Sequence, residues 1–215
     1  MSDNLYIFSG LGTDHRVFQR IDFGTWNPIF IQWIIPEKHE TIEHYANRIS
    51  DQIPKENPTI IGLSFGGIMA IEVSKIIKPK QLILLATVKT TTEIPWYYRH
   101  AGLLKLHKLL PTFLLTRSTA LSNWFFGTSD VFDRRLLKEI LRETDPVFLK
   151  WAIDQLVKWQ NETFIENTTH IHGTNDRILP KRFVRSDYSI ANGGHFMTIN
   201  KASEISQLIL KITQL

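Results

Sequence analysis

Three residues of this 215-residue chain carry the types that acyl-transfer chemistry needs. Ser64 lies in Gly62-Leu63-Ser64-Phe65-Gly66, Asp176 in HGTNDRILP at 172–180, and His195 in NGGHFM at 192–197. A serine hydroxyl is a poor nucleophile near neutral pH. It needs a base within hydrogen-bond reach, and the base needs an acid to orient it. In that arrangement Ser64 would attack a carbonyl carbon, His195 would take its proton and later protonate the leaving group, and Asp176 would hold His195 in the productive tautomer. The G-x-S-x-G spacing alone says little: at ordinary Gly and Ser usage it arises by chance in about one chain in fifteen of this length.

The elements around it sharpen the reading. Thr59-Ile60-Ile61 reads as a strand, and Ile68-Met69-Ala70-Ile71 as part of a helix. A serine between them sits on a sharp turn with its hydroxyl projecting from the sheet. Residues two positions away must be small for strand and helix to approach, and Gly62 and Gly66 are. The helix that begins after Ser64 aims free N–H groups and its positive dipole end at the site. The first predicted strand, Leu5 to Phe8, runs into the turn SGLGTD, where the N–H of Leu11 can pair with that of Phe65 to hold an oxyanion. One such donor is worth roughly 2.7–4 kcal/mol in hydrolases. Asp176 and His195 each follow a separate predicted strand, so all three side chains can project from one sheet edge.

Along the chain, short apolar runs alternate with amphipathic ones. Strands are predicted at Leu5–Phe8, Ile29–Ile34, Thr59–Leu63, Gln81–Ala86, Thr169–His172 and Tyr188–Ala191, and helices at Val17–Ile21, Thr41–Ile53, Phe65–Ile77 and Ala202–Ile212. Continuous apolar strands alternating with helices predict an α/β fold with a mainly parallel sheet of about six strands, covered on both faces. The alternation breaks between Val88 and Gln160, a helical stretch rich in aromatics. The chain therefore divides into a core, 1–87 with 161–215, and an inserted helical cap, 88–160, after the strand at 81–86. Ligands of open α/β sheets bind at the carboxyl edge of the strands, which such a cap would cover.

Bulk composition bounds the function classes. The net charge is +4, but Lys and Arg are scattered, with no basic run of the kind that binds nucleic acid. There is no cysteine, which excludes disulfides, thiolate nucleophiles and Cys-based zinc sites. No stretch approaches 18 uninterrupted apolar residues, so no membrane insertion is expected. MSDNLYIFSG lacks the basic start and long apolar run of a secretory signal, and a cytoplasmic location is expected.

With SGLG at 9–12, GLSFGG at 62–67, HGTNDRILP at 172–180 and GGHF at 193–196 in this order, the sequence resembles the α/β-hydrolase superfamily over nearly its whole length. The resemblance implies a serine esterase-like site: Ser64 as nucleophile, Asp176 as acid, His195 as base, and the backbone N–H groups of Leu11 and Phe65 as the oxyanion hole, with no metal and no cofactor. Two features depart from the common pattern. The antiparallel strand pair that often precedes the oxyanion strand is absent, which leaves a sheet edge that a second copy could cover in a homodimer. The oxyanion turn has Ser9 where many members have His.

Other residues have competing readings. Glu93, after the strand at 81–86, is the alternative acid. His170 and His172 share a strand face as metal ligands would, but no carboxylate stands at local spacing, so they read as packing residues. Asp14 and His15 flank the oxyanion turn and read as pins of that loop. Trp96 and Trp124, in the cap, and Phe196 are expected in the pocket wall. LLKLHKLLPTFLL, 103–115, is amphipathic and basic, and reads either as a cap helix facing the pocket or as a membrane-surface contact. The expected activity is cleavage of a carboxylic ester or related small acyl substrate through an acyl-enzyme on Ser64. The alternatives are a ligand sensor that retains the triad, or a thioester, amide or carbon–carbon hydrolase on the same site.

Overall fold

The computed structural model describes residues 3–54, 56–109, 111, 116–128 and 130–214. Six strands form one parallel sheet: β1 (Asn4–Phe8), β2 (Asn27–Phe30), β3 (Thr59–Leu63), β4 (Gln81–Leu85), β5 (Thr168–Gly173) and β6 (Tyr188–Ile190). Their order is β2-β1-β3-β4-β5-β6, so the chain first winds outward to one edge and then returns past β1 to the other. β1 and β3 are neighbours, which places the turn after β1 beside the turn after β3.

The strands are apolar on both faces because both are covered. Alternate residues feed two separate cores. Tyr6, Phe8, Ile60, Leu82 and Leu84 point to one, with α1 (Ile42–Ile49) and α2 (Phe65–Ser74) packed over them. Leu5, Ile7, Ile61, Leu63, Ile83 and Leu85 point to the other, which α8 (Ala202–Thr213) closes through Ile205, Ile209 and Ile212. All ten residues of α2 are buried, as expected of a helix that is apolar all round.

Helices fill the stretch between β4 and β5: α3 (Trp96–Leu103), α4 (Ala120–Phe126), α5 (Val131–Glu143) and α6 (Pro146–Lys158). Two of them join the cores. α6 contributes Phe148 and Ala152 to the first, and α5 contributes Leu136, Leu137, Ile140 and Leu141 to the second. α7 (Met197–Asn200) leads into α8.

Several elements differ from the sequence expectation; the helix expected at Thr41–Ile53, for one, is α helix only over Ile42–Ile49 and continues as a 3₁₀ turn, Ser50–Gln52. β2 ends at Phe30 rather than Ile34, because the next backbone groups find side-chain partners: Gln32 exchanges hydrogen bonds with the Gln52 amide, and the Tyr45 hydroxyl takes both the N–H and the carbonyl of Ile34. The helix expected at 17–21 is a 3₁₀ turn, His15–Phe18, capped by Asp14. α2 stops at Ser74, whose hydroxyl bonds back to the Ala70 carbonyl, three residues before the expected end. In the stretch 103–115, residues 110 and 112–115 lie outside the described residues. Its described part exposes Leu103, Leu104, Leu106 and Leu109 and is held to α6 by His107 and Asp154, 2.7 Å apart.

Candidate active site

Ser64 stands between β3 and α2 with φ +54° and ψ −122°, a left-handed conformation that costs a non-glycine residue energy. The surroundings impose it. The Ser64 N–H donates to the Leu85 carbonyl at 2.9 Å, and its carbonyl accepts the Thr87 hydroxyl at 2.6 Å. Gly62 and Gly66 are required by contact. A Cβ on Gly62 would lie 2.6 Å from the Gly66 carbonyl oxygen, and one on Gly66 would lie 2.1 Å from the Ser9 carbonyl oxygen. The turn at Ser64 and the turn after β1 are thus pressed backbone to backbone.

His195 follows β6, and Asp176 follows β5. His195 Nε2 is 2.8 Å from Ser64 Oγ, and His195 Nδ1 is 2.8 Å from Asp176 Oδ2. The other carboxylate oxygen, Asp176 Oδ1, accepts the N–H groups of Ile178 at 2.9 Å and Leu179 at 2.8 Å. Both Asp176 and His195 are buried. Burial pushes the Asp176 carboxyl up. The His195 imidazole and its hydrogen bond, nearby His172 and the Leu179 N–H more than offset that, and the carboxyl lies below its usual range. It is ionised at neutral pH. The structure thus gathers Ser64, His195 and Asp176 into one hydrogen-bonded chain, drawn from three strand ends.

Glu93 does not join them. Its carboxylate is buried and accepts the N–H groups of Lys89 and Arg185. Leu11 lies in the cavity wall beside Ser64, and Phe65 opens α2. Neither amide donates a hydrogen bond among the described residues, and the first N–H groups of a helix have no intrahelical partner. Asp14 binds Arg16, which also binds Glu143 of α5, so the loop after β1 is tied to the helical segment. Thr144 adds a second tie, its hydroxyl 2.9 Å from the Gly12 carbonyl. His15 is exposed, its ring tilted at 57° to that of Phe30 with centroids 5.9 Å apart.

A cavity of about 100 Å³ opens over Ser64 and His195, lined by apolar residues that include Leu11, Phe126, Leu156, Ile178 and Phe196. Of the aromatics expected there, Phe196 is present. Trp96 and Trp124 are exposed instead and line none of it. Trp124 lies under the Arg177 guanidinium, 4.6 Å from its carbon, and Trp96 packs edge-on to Tyr97 and His100. Phe126, two residues on, takes the inward position. Its ring meets His195 edge-on at 5.8 Å, and its carbonyl accepts the Phe196 N–H. Phe126 and Leu156 were not singled out from the sequence. The helix-stop signal of Gly127 was available, but several aromatics in succession do not reveal which one turns inward.

His170 and His172 are fully buried on one face of β5, with rings 5.5 Å apart. His172 Nε2–H donates to the Leu179 carbonyl at 2.8 Å, bracing the loop that carries Asp176. Among the described residues, the group with ligand spacing for a metal is Glu37, Glu40 and His44. The Glu40 carboxylate there already accepts from Arg48, His44 and the Glu37 N–H. Burial holds the imidazoles of His170 and His172 below their ordinary range, His170 furthest. Both stay neutral in the fold while the unfolded chain takes up protons as pH falls through about 6.5. Stability therefore falls on acidification, by up to about 1.4 kcal/mol per pH unit for each proton. Thermal denaturation is expected to show Tm falling between pH 7 and 5, and a flat Tm would remove the pair as a titrating element.

No known family model matches the sequence, and no curated protein matches it. The structure is similar over the whole chain to several solved ones. An esterase from Exiguobacterium antarcticum aligns with 100% of this chain and 92% of its own, at TM-score 0.76 and 13% identity. A bromoperoxidase from Bacillus anthracis aligns with 100% and 93%, at TM-score 0.69 and 14% identity. An esterase from Thermogutta terrifontis aligns with 100% and 90%, at TM-score 0.64 and 15% identity. No helix among the described residues is long and apolar enough to cross a membrane. Likeness at this identity is one of architecture, and with the six parallel strands and the helical insertion after β4 it shows that this chain has the α/β-hydrolase fold.

Proposed function

We propose that the protein is a serine hydrolase that cleaves small carboxylic esters through an acyl-enzyme on Ser64. The observation that carries this is the unbroken hydrogen-bonded chain Ser64–His195–Asp176, at 2.8 Å per link, on a strained turn under an apolar cavity. Ser64 Oγ attacks the carbonyl carbon as His195 Nε2 takes its proton. The oxyanion is held by the N–H groups of Leu11 and Phe65, with the positive end of α2 behind it. His195 then protonates the leaving alcohol, and water repeats the sequence on the acyl-enzyme. Asp176 keeps Nδ1 protonated and stabilises the imidazolium. Esterases among the solved structures of the same fold agree with this reading. Helices between β4 and β5 cover the site as its cap.

The cavity sets the acyl group. A space of 150 Å³ holds benzene, so about 100 Å³ holds roughly four carbons. A time course on p-nitrophenyl acetate, butyrate and octanoate tests both points. Sustained turnover of acetate and butyrate is expected, with kcat/KM falling at least tenfold at octanoate. A single burst without turnover would favour a ligand sensor that keeps the same residues. Equal rates on octanoate would place the acyl chain elsewhere.

A further inference from the structure

The helical stretch after β4 carries apolar side chains that nothing in the fold covers. α3 and the 3₁₀ turn that follows it, Leu106–Leu109, pack against α6. Contacts fix their inner side. A Cβ on Gly102 would lie 2.8 Å from the Val157 carbonyl oxygen, the Tyr98 hydroxyl donates to the Ile178 carbonyl at 3.0 Å, and His107 meets Asp154. Trp96, Leu103, Leu104, Leu106 and Leu109 are left outside, each between 47% and 79% exposed. Trp96 and Leu103 stand two turns apart on one face of α3. None of the five lines the catalytic cavity, so the pocket does not account for them. Single exposed apolar residues are ordinary on a protein surface, but a run of them within one short segment marks a surface that meets something else.

The charge among these residues has one sign. Residues 94–129 include Arg99, Lys105, Lys108 and Arg117 and no Asp or Glu, although the chain holds 21 acidic residues in 215. Arg99, on the turn between Trp96 and Leu103, and Lys105, between the leucines, are exposed and pair with no carboxylate among the described residues. Lys108 lies 3.7 Å from Asp154, which His107 and Lys158 already hold. The centres of protein interfaces are depleted of Lys and enriched in Tyr, Met and Arg. Leu and Trp interleaved with Lys and Arg suit a bilayer surface instead, with the apolar side chains at the acyl boundary and the cations among the phosphates. We propose that this face of α3 and the following turn docks the protein on an anionic lipid surface. Docking is peripheral, since no helix among the described residues is long and apolar enough to cross a membrane. Ser64, His195 and Asp176 take no part in it, so the assignment stands apart from the hydrolase reading.

The test is co-sedimentation with vesicles of phosphatidylcholine alone and of an equal mixture of phosphatidylcholine and phosphatidylglycerol. Wild type is expected to bind the mixed vesicles at least about tenfold more tightly, because each cation near an anionic surface adds about fivefold, and to be released by high salt. Arg99→Glu with Lys105→Glu is expected to remove the preference for the mixed vesicles. Leu104→Ser with Leu109→Ser is expected to weaken binding to them by about tenfold or more. All four side chains are exposed, so both double variants should keep the wild-type Tm, which separates docking from folding. No binding of wild type to the mixed vesicles, equal binding to both kinds, or binding that survives the leucine substitutions would overturn the proposal. A wild-type dimer in vesicle-free solution that Leu104→Ser with Leu109→Ser turns into a monomer would also overturn it, because a second copy would then cover the face.

Discussion

Ser64→Ala is expected to lower kcat on p-nitrophenyl butyrate by roughly 10⁴- to 10⁶-fold, the loss seen when the nucleophile of a working triad is removed. The residue changes one oxygen atom, and alanine meets the same backbone demand as serine at φ +54°, so the fold should be kept. Tm measured beside the rate separates lost chemistry from lost structure. Covalent labelling offers a second readout. A fluorophosphonate should add to the tryptic peptide that contains Ser64 in wild type and to no peptide in the variant. Retention of a tenth of the activity by a folded Ser64→Ala protein would end the acyl-enzyme mechanism.

The acid supplies the second large effect. Asp176→Asn should cost about 10⁴-fold in kcat, because an amide facing Nδ1 favours the wrong imidazole tautomer and cannot balance the imidazolium charge. Glu93→Gln should behave differently. The Glu93 carboxylate accepts two backbone N–H groups and does not touch His195, and glutamine keeps one carbonyl acceptor for them. Its expected cost is a lower Tm, from a loss of about 1–3 kcal/mol for the unpaired amide, with kcat within twofold of wild type. A loss on Glu93→Gln as deep as that on Asp176→Asn would mean that the acid role is not confined to Asp176.

What could be read from the sequence is what is locally encoded. β3 runs from Thr59 to Leu63 as expected, because Thr59, Ile60, Ile61 and Leu63, bounded by a turn signal, leave few alternatives. Ser64, Asp176 and His195 were visible because each sits in its own strand-end motif, and the parallel topology then brings the three ends together. Other features depend on partners far along the chain. β2 is cut short by Gln52 and Tyr45, twenty and eleven residues beyond their partners Gln32 and Ile34. The cavity wall takes Leu11 from the first turn, Phe126 and Leu156 from the helical stretch and Ile178 from the acid loop.

Two ties join the loop after β1 to the end of α5. Thr144 grips the carbonyl of Gly12, next to Leu11, and Arg16 bridges Asp14 to Glu143. Both contacts flank the segment that holds Leu11. On the serine-hydrolase reading proposed above, the placing of the Leu11 donor therefore rests on contacts from a helix more than 120 residues further along the chain.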